Sequence, residues 1–296
     1  MAISEAQLET WSHQGSQVQS ASTYKSIRDV LNDPGSPYYK WMYRIFLQGS
    51  YGNDTNIYAD SDVDVVICLT EVYYGDVSHL SDEEKARYNA NRSPGTIGFK
   101  EFKAHVLAWL TKKFGSGVTA GKKAIFIPGD RNRRDADVLV CVANKMFISY
   151  PATGEPAFYE GVCFWTSDEE KIVNYPRQHL DNCTAKNGAS ASRFKPSIRI
   201  LKNMRNAMIE QGYINAGLAP SYFLEGMLSN VPTQQFVNSH QQTFENYMDW
   251  LQACSVGDLT CANGIHYLVR DGQSVCWNLS DFNTFRASAM RFYNRG

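Results

Sequence analysis

At 296 residues the chain has room for one large domain or two smaller ones around a substantial core. Lysine plus arginine (29) nearly balances aspartate plus glutamate (30), leaving a formal charge of −1, so no global field favours tight nonspecific binding to nucleic acid and a long polymer substrate is disfavoured. Seven cysteines include no Cys-x-x-Cys pair, and Cys68, Cys141 and Cys163 lie in apolar segments, which argues for a reducing compartment and against a disulfide framework or a zinc site.

From about Ser4 to Leu31, apolar residues at Leu8, Trp11, Val18, Ala21, Ile27 and Val30 form an imperfect helical stripe that breaks at Asp33-Pro34-Gly35. The amino terminus lacks a basic region followed by an apolar one, and no apolar run approaches membrane-spanning length. A cytosolic, membrane-free protein is expected. A second short helix should precede a strand from Tyr43 to Leu47, which runs into Gly49-Ser50. Gly52, Asn53 and Asp54 read either as the start of a helix, with Asn53 or Asp54 as its cap, or as simple loop residues.

The next segment carries the chemistry. Asp62-Val63-Asp64-Val65 opens the apolar run Val65 to Leu69, and strand alternation sends both aspartates to one face and both valines into the core. Two carboxylates sharing a site resist joint ionisation unless a divalent cation sits between them. Asp60 competes for a place in this pair, but Ser61 would then fill a core position, so Asp62 and Asp64 fit better. The Gly49-Ser50 turn adds backbone N–H groups and a hydroxyl suited to a phosphate. A lone Asp-x-Asp is commonly a solvated turn, but here the turn, the spacing and the apolar continuation agree.

Glu71 to Pro94 is polar and expected to be a partly exposed insertion. Ile97 to Leu110 makes an amphipathic helix closed by Gly115. Lys122 to Ile127 and Asp135 to Val142 are expected as a hairpin across Pro128 to Asn132. Asp137 immediately precedes the second buried run, as Asp64 does the first, with Asp135 one period earlier. From Arg193 the pattern is helical, with further helices over about Tyr222 to Leu228, Phe236 to Leu251 and Phe282 to Tyr293. Lys195, Arg199, Lys202 and Asn206 recur on one face of the first of these helices. Taken alone they read as a solvated basic stripe. His179 reads as a structural histidine. The segment Gly115 to Lys123 fails as a P-loop, because its glycine spacing is wrong and Lys123 stands where Ser or Thr belongs.

A strand ending in Gly-Ser, a short helix and Asp-hydrophobic-Asp-hydrophobic resembles the nucleotidyltransferases of the DNA polymerase β type. Phe194-Lys195-Pro196-Ser197-Ile198-Arg199-Ile200-Leu201-Lys202-Asn203 and Pro220-Ser221-Tyr222-Phe223-Leu224-Glu225 resemble two helices of the bacterial cGAS/DncV-like enzymes, relatives of animal cyclic GMP-AMP synthase and oligoadenylate synthase. The Asn174 to His179 and Asn182 to Asn187 segments are also similar to this family.

The resemblance implies an α+β fold, with a polymerase β-like catalytic lobe (residues 1–190) followed by a helical nucleotide-binding lobe (191–296) and the active site in the cleft between them. It implies that Asp62, Asp64 and Asp137 hold two magnesium ions, or manganese in their place, and that Asp137 orients or deprotonates the acceptor hydroxyl. Gly49, Ser50, Lys202 and Ser221 would meet the donor's phosphates. The implied function is synthesis of a cyclic di- or trinucleotide messenger from nucleoside triphosphates, acting on a downstream effector during phage infection. No zinc-binding insertion like that of the animal DNA sensor is apparent, so activation by DNA is not expected. A nucleotidyltransferase for an RNA end or small acceptor is the competing enzyme, and a catalytically silent nucleotide sensor the competing binder.

Overall fold

A computed structural model describes residues 2–15, 17–59 and 62–295. The chain divides into two interleaved units: Met1–Ser16, Gly49–Asp60 and Arg177–Gly296 form one, and Gln17–Gln48 with Ser61–Pro176 the other. This division differs from a single cut at 190/191, because the first helix and the segment after Gly49 pack with the C-terminal helices rather than with the sheet that precedes and follows them in sequence.

The second unit is built on a seven-stranded mixed sheet, ordered β1 (Tyr43–Leu47), β2 (Val63–Asp76), β5 (Ala136–Ser149), β4 (Ile125–Ile127), β3 (Thr119–Ala120), with β6 (Ala157–Trp165) on β5 and β7 (Lys171–Asn174) on β6. Only β2 and β5 run parallel, and the other pairs are antiparallel. In β2 the consecutive residues Val65 to Leu69 are all buried, the pattern of a strand flanked by neighbours and covered on both faces. Helices α2 (Val18–Leu31) and α5 (Phe99–Phe114) pack on this sheet. The Trp109 indole donates to Val30 O at 3.0 Å and ties the two together.

Several expectations are revised here. The single helix expected over residues 4–31 is two, α1 (Glu5–Ser12) and α2. The break falls where the chain passes close to another backbone: a Cβ on Gly15 would lie 2.5 Å from Ile57 O, and Gly15 N–H donates to Asn56 O. Residues 34–41 form turns, not a helix. The polar stretch after Glu71 continues β2 to Asp76, because a register shift between Leu69 and Tyr73 lets it go on pairing with β5. It then forms α4 (Asp82–Ala90) behind a capping box from Ser81 and Glu84. The hairpin expected over Pro128 to Asn132 is present, as β4 paired with β5.

The first unit is helical: α1, α3 (Gly49–Gly52), α6 (Pro176–Ala189), α7 (Phe194–Glu210), α8 (Ser221–Asn230), α9 (His240–Ala253) and α10 (Leu279–Tyr293). Its core joins Leu8, Phe194, Ile198, Leu201, Leu224, Phe244, Trp277 and Phe285, with α7 central. Pro196 sits in the first turn of α7, where a missing N–H breaks no helical hydrogen bond. No helix among the described residues is long and apolar enough to cross a membrane.

Candidate active site

In the sheet unit, β2 and β5 set Asp64 directly beside Asp137 in register. Their chain neighbours Val63, Val65, Ala136 and Val138 are wholly buried, so alternation turns both carboxylates to the opposite face. Asp62, one pleat earlier, faces the same way and is exposed, whereas Asp64 and Asp137 are half-buried. Burial pushes the Asp137 carboxyl above the usual carboxylate range, and the charges of Asp62 and Asp135 push it further. Asp135 is engaged elsewhere: its Oδ1 accepts from Gly129 N–H at 2.6 Å, closing the turn between β4 and β5. That favours Asp137 over Asp135 as the third ligand. Asp60 and Ser61 lie outside the described residues.

An all-oxygen set of carboxylates that repel one another fits a hard divalent cation such as magnesium. The metal would hold to Asp62, Asp64 and Asp137.

In the helical unit, Gly49 takes φ +68°, a conformation glycine adopts without strain, and opens the one-turn helix α3 that carries Ser50. Thr55 N–H donates back to Ser50 O at 2.9 Å. Asn53 and Asp54 do not start a helix. They end this turn, with Asp54 in the left-handed region at φ +55°. Ser221 is the first residue of α8, after Pro220 at the cap position, and its Oγ accepts from Arg205 Nη1 at 3.0 Å.

The basic stripe of α7 is neither solvated nor idle. Lys195 Nζ meets Asp54 Oδ2 at 3.1 Å, Arg199 Nη1 donates to Asp54 O at 2.8 Å, and Lys202 Nζ donates to Thr55 O at 3.0 Å. Lys202 is 0% exposed. The structure therefore places the expected phosphate lysine against the loop that follows Ser50.

Sequence reasoning passed over a buried cluster beside this loop. Glu225, in the Ser-Tyr-hydrophobic-Leu-Glu segment, accepts from Thr55 Oγ1 at one oxygen and from Asn53 Nδ2 (3.1 Å) at the other. His179 Nε2 also stands 2.6 Å from that second oxygen, and its ring stacks on Tyr222. Burial alone would raise the Glu225 carboxyl. The hydrogen bond and charge of His179, the Thr55 hydroxyl and the Lys202 charge outweigh it and hold the group below the usual carboxylate range. His179, Cys183 and Glu225 offer ligand atoms within 4.8 Å of one another. Both carboxylate oxygens are already taken by hydrogen bonds, and burial and the nearby Glu225 charge push the Cys183 thiol up, so the cluster reads as a polar network rather than a metal centre. A buried Glu aligned with a helix that opens on Ser221 was the available signal.

Residues 181–294 match the family model of the cGAS/DncV-like nucleotidyltransferase C-terminal helical domain. The chain is 38% identical over 271 residues to a cyclic UMP-AMP synthase of Rhodothermus marinus, covering 89% of this chain and 88% of that protein. This chain belongs to the bacterial cGAS/DncV-like nucleotidyltransferases. It is 34% identical to a cyclic dipurine nucleotide synthase of Elizabethkingia meningoseptica over 83% of each chain. The structure of the R. marinus synthase with Apcpp and Upnpp aligns with a TM-score of 0.87, at 34% identity over 99% of this chain and 97% of that one. The expected α+β fold, a mixed sheet with helices and a C-terminal helical domain, is the fold of this family. The chain is accordingly a nucleotidyltransferase of the cyclic nucleotide synthase type.

Proposed function

We propose that this enzyme joins two nucleoside triphosphates into a cyclic dinucleotide, with Asp62, Asp64 and Asp137 around the reacting groups. The observation that carries the reading is the in-register placement of Asp64 beside Asp137 on parallel strands, with Asp62 on the same face. Asp137 orients the acceptor's 2′- or 3′-hydroxyl for in-line attack on the donor's α-phosphorus. The new bond forms as the bond to pyrophosphate breaks, and the hydroxyl proton passes to solvent. The Ser50 hydroxyl, the N–H groups of the turn begun by Gly49, and Ser221 at the start of α8 hold the donor's phosphates. Magnesium, when bound, supplies positive charge against the leaving pyrophosphate. One carboxylate set serves both bonds, so the linear intermediate must turn and present its own triphosphate as the second donor. Closure then replaces a bimolecular encounter with an intramolecular one.

Relatives pair uridine with adenine, two purines or two pyrimidines, so the product's mass assigns the bases. In this reading the product is made in the cytoplasm and activates an effector during phage infection. The test incubates the protein with the four nucleoside triphosphates and magnesium, treats the product with phosphatase and weighs it. A phosphatase-resistant dinucleotide is expected. A ladder of products that lose terminal phosphate would replace the reading with a linear polymerase.

A further inference from the structure

The loop Asn53–Asn56 joins the Gly49-Ser50 turn to the strand that carries the aspartates, and a loop with a non-glycine residue at positive φ needs outside support to hold one conformation. That support comes from three helices of the helical unit. Lys195, Arg199 and Lys202 of α7 grip Asp54 and Thr55, mostly through backbone oxygens. Glu225 of α8 receives the side chains of Asn53 and Thr55, and His179 of α6 fixes Glu225 from the other side. Asn56 completes the hold, with Nδ2 donating to Gly15 O at 3.1 Å and Oδ1 accepting from Gln14 Nε2 at 2.7 Å.

A carboxylate in this position is chemically demanding. It is 3% exposed, and it needs its donors to be placed before it can be buried ionised. Thr55 Oγ1 and Asn53 Nδ2 are donors on two residues flanking Asp54, so satisfying both fixes the loop's path. Thr55 N–H in turn closes on Ser50 O, which transmits that path to the turn. The same α8 begins at Ser221, four residues before Glu225, so one rigid helix carries both the anchor of the loop and a second phosphate contact.

We propose that Glu225 is a positioning residue for the donor triphosphate. With Lys202 and His179 it sets the Asn53–Asn56 loop, and through Thr55 it sets the Ser50 turn. This rests on the reading that the Gly49-Ser50 turn holds the donor's phosphates. Glu225→Gln keeps shape but removes the anionic acceptor and turns an amide donor toward one of the two loop donors. Thr55→Val removes one of the loop's two contacts with Glu225 and leaves the Asn53 contact and the Glu225–His179 pair in place.

The experiment measures, by titration calorimetry with magnesium, the affinity of each variant for two ligands. One is a nonhydrolysable analogue of the triphosphate that the wild type binds tightest, and the other is the corresponding monophosphate. Each single variant should weaken triphosphate binding about tenfold and monophosphate binding by under about twofold, and the double variant should be no worse than the stronger single, as expected for one shared contact. Ser50→Ala tests the underlying reading separately. If Ser50→Ala binds triphosphate like the wild type, the Ser50 hydroxyl is not a phosphate contact and the inference falls with it. If Ser50→Ala is weakened while the Glu225 and Thr55 variants change triphosphate and monophosphate affinities in parallel, or not at all, Glu225 is merely structural and the inference alone is overturned. Should Glu225→Gln not fold, Thr55→Val decides in the same way.

Discussion

Replacing Lys202 by methionine separates two roles that its position in sequence leaves entangled. Methionine keeps most of the stem's packing in a side chain that is 0% exposed, so the change chiefly deletes a charge and three N–H donors. The Thr55 carbonyl loses its 3.0 Å donor, a cost of about 1–3 kcal/mol for a buried group left unsatisfied. Glu225 also loses the Lys202 charge, one of several influences that hold its carboxyl low, while His179, Thr55 and Asn53 remain on it. The two losses share one site and do not add, so about 1–3 kcal/mol in total is expected.

Lys195→Met is the control. Its partner Asp54 has a side chain 56% exposed, and such a pair is worth about 1 kcal/mol or less. The assay is urea denaturation followed by circular dichroism, fitting the transition of the helical unit. The pH dependence adds a check. Glu225's folded pKa lies below its unfolded one, so its stabilisation is present above the unfolded value and is lost as pH falls through the folded one. The groups facing it are His179 and Cys183 of α6, Lys202 of α7 and Tyr222 of α8. The gap between wild type and Lys202→Met should therefore narrow as pH drops below the carboxylate range. A Lys202→Met protein within about 1 kcal/mol of wild type, but unable to bind triphosphate, would refute this reasoning and return Lys202 to the phosphates.

Asp64→Asn and Asp137→Asn should each cut pyrophosphate release by at least about 10³-fold while leaving the melting temperature unchanged or higher, since in the proposed mechanism each removes a metal ligand and also relieves repulsion. Near-normal release by either folded variant would remove that residue from the site. Magnesium should raise the melting temperature of the wild type but not of these variants, measured by differential scanning fluorimetry. Gly161→Ala should destabilise the sheet unit by about 1–3 kcal/mol, because a Cβ there would lie 2.8 Å from Asn174 O and 2.9 Å from the Tyr175 ring. An unchanged unfolding midpoint would show that β6 and β7 yield to it.

The sequence by itself determined the carboxylate face. Period-two alternation needs no knowledge of the rest of the chain: with Val63, Val65 and Val138 committed to the core, Asp62, Asp64 and Asp137 had to turn away from it. It also determined β1 at Tyr43–Leu47 and the helices α5, α7, α8 and α10 to within a few residues, because each has a periodic apolar face or a clear terminus. It did not reveal that β2 runs on to Asp76, since that polar stretch is a strand only because β5 pairs with it. Nor could it say what covers the basic face of α7. Spacing puts Lys195, Arg199 and Lys202 on one side of a helix, which looks the same whether water, a phosphate or another segment lies against it. The tertiary structure brings a loop from about 140 residues upstream onto that face, and Glu225 and His179 onto the same loop. A helix period is a local property, whereas the desolvation that turns a surface lysine into a buried clamp depends on a partner distant in the chain.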